Sequence, residues 1–303
     1  MPGVKLVILP ITGLPSSANP PISSRCMLAP PGYHLAPGRH IFPAPPSGSR
    51  GGGAEDRMAM TTMALLAGAG MLGGLCNAIA GGGTFFTFPA LLAVGLPPVT
   101  AGATSAVAIW PGHAASLIGE GAVLRQELIA RPGRVAVFAL ASAAGAGLLL
   151  VSGDALFRQL VPWLLLFATL LFAAGPMLNR WFARRGVSIG PVSAACAEGV
   201  VALYGGYFGA GLGVLLLALL TVTGGDDLKR LNVVKNALAT LATSIAVLIF
   251  AFGSAVAWGP AALVFLGATA GGVIGGRLAR RVKPQLLRAA IVCLGLLLVW
   301  HYA

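Results

Sequence analysis

The residues in this chain that could do chemistry are few, and they gather around glycine. The stretch NAIAGGGTFFTFP at 77–89 sets three consecutive glycines between Asn77 and Thr84, and YGGYFGAGLG at 204–213 repeats the device further on. Each lies in an apolar run too long for a single membrane span. A helix broken inside a bilayer leaves N–H and C=O groups that lipid cannot satisfy, so a break persists only where protein or water covers it. Gly81, Gly82 and Gly83, and later Gly209, Gly211 and Gly213, let the backbone turn and let another group approach closely. The helix restarting near Thr84, and its counterpart near Leu212, would aim free N–H groups and a positive dipole end at a cavity, an arrangement suited to an anion.

Polar side chains stand where such a site needs them. Asn77 and Thr84 flank the first break, Thr104 and Ser105 sit one turn into the next span, and Lys235 and Asn236 occupy the matching depth in the second half. Plainer readings exist: glycines serve close helix packing, Thr104 and Ser105 bond back to their own helix, and Lys235 snorkels to the interface. The paired occurrence favours the site. Two ionisable groups are candidates for proton coupling. His113, after Trp110 and Pro111, is either a neutral bonded histidine or a proton carrier. Glu198, two turns before the second break, is either a proton site or the partner of a basic residue. Glu120 and Asp154 read as interfacial and structural.

The elements that must position these groups follow from composition. Over 303 residues, 57% are hydrophobic and 9% charged, whereas soluble domains carry about 25% charge. The class is therefore an all-α polytopic membrane protein. The net charge of +12 sits in short loops between apolar runs, not on one face of a soluble module, so it speaks for orientation in a bilayer and against nucleic acid. Cys26, Cys76, Cys196 and Cys293 lack metal-ligand or disulfide spacing. No metal, cofactor or enzyme activity is expected; a GATS segment at 102–105 without paired intramembrane aspartates does not make a protease.

Residues 1–57 hold 11 prolines and end in SGSRGGGAEDR, which reads as a disordered tail. Met58, Met60 and Met63 just before the first apolar run leave a start within this stretch as an alternative. From residue 62, single spans of about 20 residues are expected near 101–119, 133–151, 155–178, 232–252, 259–277 and 285–302. The two broken runs are 62–94 and 191–223. They open two similar halves, 62–185 and 190–303: a slide of 131 residues sets Gly82 on Gly213, Thr104 on Lys235 and Ser105 on Asn236. About eight transmembrane segments in two repeated, inverted halves result. Such symmetry with interrupted helices points to a secondary transporter.

Charge tests how the broken runs cross. If each folds back as a hairpin, the connections at 119–134, 179–190, 224–231 and 278–288 share one face, with 13 Lys and Arg residues when Arg277 at the edge of the last is included, leaving Arg158 and the tail opposite. If each crosses once, the basic loops alternate sides. The return arms, 84–94 and 212–223, would be about 16–18 Å long, part of a core of about 30 Å; two short tilted crossings are the alternative.

The segments NAIAGGGTFFTFPALLAVGLPPVTAGATSAVAIWPG (77–112), GVVALYGGYFGAGLGVLLLALL (199–220) and LNVVKNALATLATSIAVLIF (231–250) resemble the TauE/SafE-type sulfite exporter family, also called the toluene sulfonate uptake permeases. The resemblance covers residues 62–303. It implies a multi-pass transporter of a prokaryotic cytoplasmic membrane, linked to sulfite, sulfonates and other sulfur-containing organic anions. It implicates Gly81, Gly82, Gly83 and Pro89, and Gly205, Gly206, Gly209, Gly211 and Gly213. The chain departs from the pattern at Ala80 and Leu220. The expected partners are thus a small anion, the lipid bilayer and coupling protons, with a passive anion channel or a membrane-embedded partner protein as rival readings.

Overall fold

The computed structural model describes residues 52–115, 117, 125, 129–185, 190–223, 228–278 and 284–303. The elements among them are α-helices: α1 (Gly52–Ala80), α2 (Thr84–Ala93), α3 (Pro98–Ala115), α4 (Pro132–Arg185), α5 (Pro191–Tyr207), α6 (Leu212–Thr223), α7 (Leu228–Phe252), α8 (Trp258–Leu278) and α9 (Pro284–Tyr302). Most of the expected tail, together with Glu120 and several basic residues of the connections, lies outside the described residues. Where the tail enters them, at 52–57, it is already part of α1, which reaches back beyond the expected start of the apolar run.

Four stretches are long and apolar enough to cross a bilayer: Arg57–Ala78, Pro132–Phe182, Arg230–Phe252 and Trp258–Gly275. The second is about 75 Å of helix at 1.5 Å per residue, more than twice the hydrocarbon thickness, and it turns at Gly153 (φ 69°, ψ 163°), where the sequence separates two spans. Both arms of α4 reach the same residue beyond that turn. The Ser152 and Tyr207 hydroxyls hydrogen-bond at 3.3 Å, and the Phe157 ring meets Tyr207 at 5.6 Å. Apolar side chains such as Leu140, Val151, Trp163 and Leu266 face outward, while Thr87, Thr104, Ser105, Ser142 and Thr169 are buried. That polarity suits lipid as the solvent.

Both glycine breaks fold the chain back. A side chain at Gly73 in α1 would meet the Gly83 carbonyl and the Thr87 methyl of the following segment, so α2 returns along α1. α6 returns beside α5, and its end (Val222, Thr223) shares a groove with the start of α5 (Pro191, Ala194) and the start of α4 (Arg131, Arg134). The end of α2 meets Gly95, Pro97, Asp154 and Tyr302 instead. The ends of the two return arms thus lie beside different parts of α4, α6 at its start and α2 at the turn after Gly153. α2 and α6 have 10 and 12 residues, about 15 and 18 Å, and Pro89 lies inside α2 without ending it.

Backbone-close seams hold the hairpins in place. A Cβ at Gly70 or Gly271 would strike the carbonyls of Val264 and Met71, so α1 and α8 touch through bare backbone; a Cβ at Gly206 would strike the Ser142 carbonyl, and α5 meets α4 the same way. Beside that second seam, Arg134 Nη2 lies 2.5 Å from Glu198 Oε1, the side chains only 9% and 8% exposed. Glu198 is thus the partner of a basic residue. Asp154 is structural as well: Oδ1 accepts the Val99 N–H at 2.9 Å, capping the start of α3.

Two stability results follow. Gly271→Ala forces α1 and α8 apart at a cost of about 1–3 kcal/mol and lowers the thermal midpoint in detergent, whereas Gly68→Ala, with open space at its Cβ, does not. Glu198→Leu leaves a buried guanidinium unpaired, about 3–5 kcal/mol, and the double variant Arg134→Met/Glu198→Leu recovers most of the loss; equal instability of single and double variants would contradict the pairing.

Candidate functional site

The first break begins at Gly81, whose φ of 79° suits glycine, and its N–H closes α1 on the carbonyls of Cys76 and Asn77 (3.1 and 3.2 Å). α2 then starts without a side-chain cap, its first turn bonding Phe85 N–H to the Gly82 carbonyl and Phe86 N–H to the Gly83 carbonyl. In the second break Gly209 (φ 71°) and Gly211 (φ 76°) flank Ala210. The N–H groups of Phe208 and Gly209 close α5 on the Tyr204 carbonyl, and Leu212 N–H starts α6 on the Gly209 carbonyl at 3.2 Å. At each restart the leading N–H groups lack an acceptor within their own helix.

The two breaks meet on one ring. Side chains placed at Gly82 and at Gly211 would both touch Phe172 of α4, whose ring also stands edge-on to Phe85 at 5.5 Å. Beside this contact lies a cavity of about 30 Å³ that takes Thr84 from the first restart, Gly209 and Leu212 from the second, His113 from α3 and Thr243 from α7. This volume is room for about one water. The rest of the wall is apolar, including Phe88, Phe208 and Phe250. On the side toward Gly153 the cavity is closed by packed rings: Phe88 meets Phe208 at 5.6 Å and Phe157 at 6.0 Å. Beyond them a groove of about 710 Å³ is lined by Gly95, Asp154, Arg158 and Tyr302.

Of the residues singled out in the sequence, Thr84, Gly205, Gly206, Gly209 and His113 line the cavity. Asn77, Gly81, Gly82, Gly83, Gly211 and Gly213 shape the breaks beside it. His113 is in the last turn of α3 as described. Its carbonyl accepts the Thr240 hydroxyl at 3.0 Å, an oxygen-to-oxygen clasp between α3 and α7 that Trp110 Nε1 and Ser244 repeat at 2.8 Å. Lys235 is close enough to His113 for their charges to interact; its stem reaches Gly213 at the start of α6, and Nζ donates to Asn232 Oδ1 at 3.0 Å. Asn236, one residue on, lends its carbonyl to the Thr240 hydroxyl.

Thr104 and Ser105 are not brought to the cavity. Thr104 Oγ1 accepts the Ala257 N–H at 3.0 Å, holding the entry to α8, and the Ser105 and Thr87 hydroxyls bond each other at 2.6 Å, fully buried. Both hydroxyls are spent on helix-to-helix fastening, which a slide of the two halves cannot distinguish from a site. Conversely Phe172, Thr243 and the aromatic closure escaped sequence reasoning, since in an apolar span nothing separates a phenylalanine at a site from one facing lipid.

A family model described as "Sulfite exporter TauE/SafE" matches residues 66–301. The chain is 28% identical over 225 residues to "Probable membrane transporter protein YfcA" of Escherichia coli strain K12, covering 73% of this chain and 82% of that protein. It is 29% identical over 254 residues to "Probable membrane transporter protein ORF9" of a Sinorhizobium species, covering 80% and 92%. A "Probable membrane transporter protein" of Haemophilus influenzae is 26% identical over 247 residues, covering 78% and 92%. No solved structure matches. With the doubled helix breaks, the outward apolar faces and a family match over most of its length, this chain is a multi-pass membrane protein that belongs to the TauE/SafE sulfite exporter family of membrane transporters.

Proposed function

We propose that the protein is a secondary transporter of small anions, sulfite or organosulfonates, working by alternating access around the two helix breaks. The observation that carries this reading is the single cavity drawn from both restarts, with Thr84 on one side and Gly209 and Leu212 on the other. Two positive helix ends with backbone N–H groups suit an oxyanion, and the family's description supplies the sulfur chemistry. Return arms that end beside different parts of α4 support inverted halves and, with both arms of α4, a count of about eight segments. Charge supports the orientation: Arg131 and Arg134 stand where the second hairpin opens, and Arg180 and Arg288 are close enough to interact, which fits one cytoplasmic, basic face.

A cavity of about 30 Å³ is smaller than a sulfur oxyanion, so the described state is closed and transport requires widening. The Phe88, Phe157 and Phe208 rings are the closure toward the groove at Asp154 and Arg158. Lys235 and His113 stand on the other side, along the approach from the basic face. Lys235 draws the anion in, and His113, which lines the cavity, and Glu198 are the proton-coupling candidates.

Purified protein in liposomes is expected to move radiolabelled sulfite saturably and with a dependence on an imposed ion gradient. No flux of sulfite, thiosulfate or sulfonates under any gradient would falsify the substrate class, and unsaturable, uncoupled flux would make the protein a channel. Lys235→Ala is expected to lower the rate at subsaturating sulfite on the order of tenfold, the scale of one charge-assisted contact, with unchanged protein in the membrane; an unaltered rate would leave Lys235 a snorkelling residue.

A further inference from the structure

A second polar recess lies at the far end of the α5–α6 hairpin, away from the cavity. It has a volume of about 430 Å³ and is walled by Arg131 and Arg134 at the start of α4, by Ala194, Ala195 and Glu198 in the opening turns of α5, and by Thr223 at the end of α6. Two helices begin here. α4 and α5 both open on proline, Pro132 and Pro191, which brings no N–H, and the residue ahead of α5 is Gly190, which brings no capping side chain. Val135 N–H bonds the Arg131 carbonyl at 3.3 Å and Ala194 N–H the Gly190 carbonyl at 2.9 Å. The N–H groups ahead of these, on Gly133 and Arg134 and on Val192 and Ser193, have no acceptor within their own helices. Two positive helix ends therefore border one recess.

The arginines point to a ligand independently of the helix ends. The Arg134 side chain is only 9% exposed and pairs with Glu198, yet its Nε and Nη2 are buried without a hydrogen-bond acceptor. A guanidinium carries five N–H donors in a fixed fork, and buried donors of a charged group are costly to leave unmade. Arg131 adds a second cation at the exposed rim of the same recess. Among the described lining residues two guanidiniums thus stand against one carboxylate, and the surplus positive charge coincides with the helix ends. What the recess lacks is a further acceptor with several oxygens.

We propose that this groove is a second anion site, taking a compact oxyanion, a sulfonate or phosphate group, between Arg131 and Arg134 at the starts of α4 and α5. The planar fork of arginine matches such groups through paired N–H···O bonds. α6 runs from the cavity at Leu212 to the recess at Thr223, about 18 Å, so the site stands whether or not the cavity transports. The same chemistry is offered by a free oxyanion and by the phosphate of an anionic lipid headgroup, and the experiment separates these sources.

Equilibrium dialysis of the purified full chain in detergent against ³²P-labelled inorganic phosphate is expected to show saturable binding. Arg131→Gln is expected to weaken it about tenfold, the scale of one charge-assisted contact. Ala195→Glu sets a carboxylate at an exposed position of the groove wall near a helix start, where acidic residues suit the helix, and is expected to abolish binding with the thermal midpoint unchanged. Nanodiscs identify the source. Equal phosphate binding in phosphatidylcholine and phosphatidylglycerol discs assigns the site to a free ion, and binding kept in the first but lost in the second assigns it to the lipid headgroup. Absence of saturable phosphate binding in both detergent and phosphatidylcholine discs overturns the proposal, as does binding that survives both variants. Binding lost in Thr84→Val and kept in Arg131→Gln places the ion in the cavity and overturns it too; should Arg131→Gln fold poorly, Ala195→Glu decides.

Discussion

A peptide group left without a partner in hydrocarbon costs several kcal/mol, and this chain places two helix breaks among its apolar segments. The arrangement around them follows from covering that exposed backbone. Each return arm lies along the helix it came from, so the broken backbone is screened by its own hairpin. The two breaks then meet and screen each other, with Phe172 as the common wall behind Gly82 and Gly211. What remains unscreened is the small cavity itself. A site thus arises where the covering is left incomplete.

The covering also interlocks distant parts of the chain. α1 is seamed by backbone contact to α8, and α5 to the first arm of α4. Close approach of this kind depends on glycine at Gly70, Gly271 and Gly206, and without a hydrophobic drive between helices it supplies much of the association. The buried Arg134–Glu198 pair adds a register mark to one seam.

Much of this was legible in the sequence because glycine and proline act locally. Gly81, Gly209 and Gly211 declare their turns through positive φ, the length of 132–185 demands a break near Gly153, and the short return arms follow from counting residues. Partner choice was not legible. Thr104 and Ser105 have the residue types of a site, yet Ala257 and Thr87 claim them, and those partners lie 153 and 18 residues away along the chain. Arg134, beside Glu198, likewise lies far back along the chain.

The composition of the cavity wall bears on how an anion could be both held and released. Among the described residues the guanidinium nearest the second hairpin, Arg134, is neutralised by Glu198, and Lys235 borders the start of α6 without lining the cavity. The wall offers hydroxyls, an imidazole and backbone dipoles in place of a fixed full charge. In a low-dielectric enclosure a bare ammonium would hold an anion by many kcal/mol, whereas conduction or transport needs binding weak enough to leave. Partial charges on N–H groups give a preference of sign without that depth. For such a site the orientation of a few peptide planes matters more than the placement of any one charged side chain, and orientation is what paired glycines make adjustable.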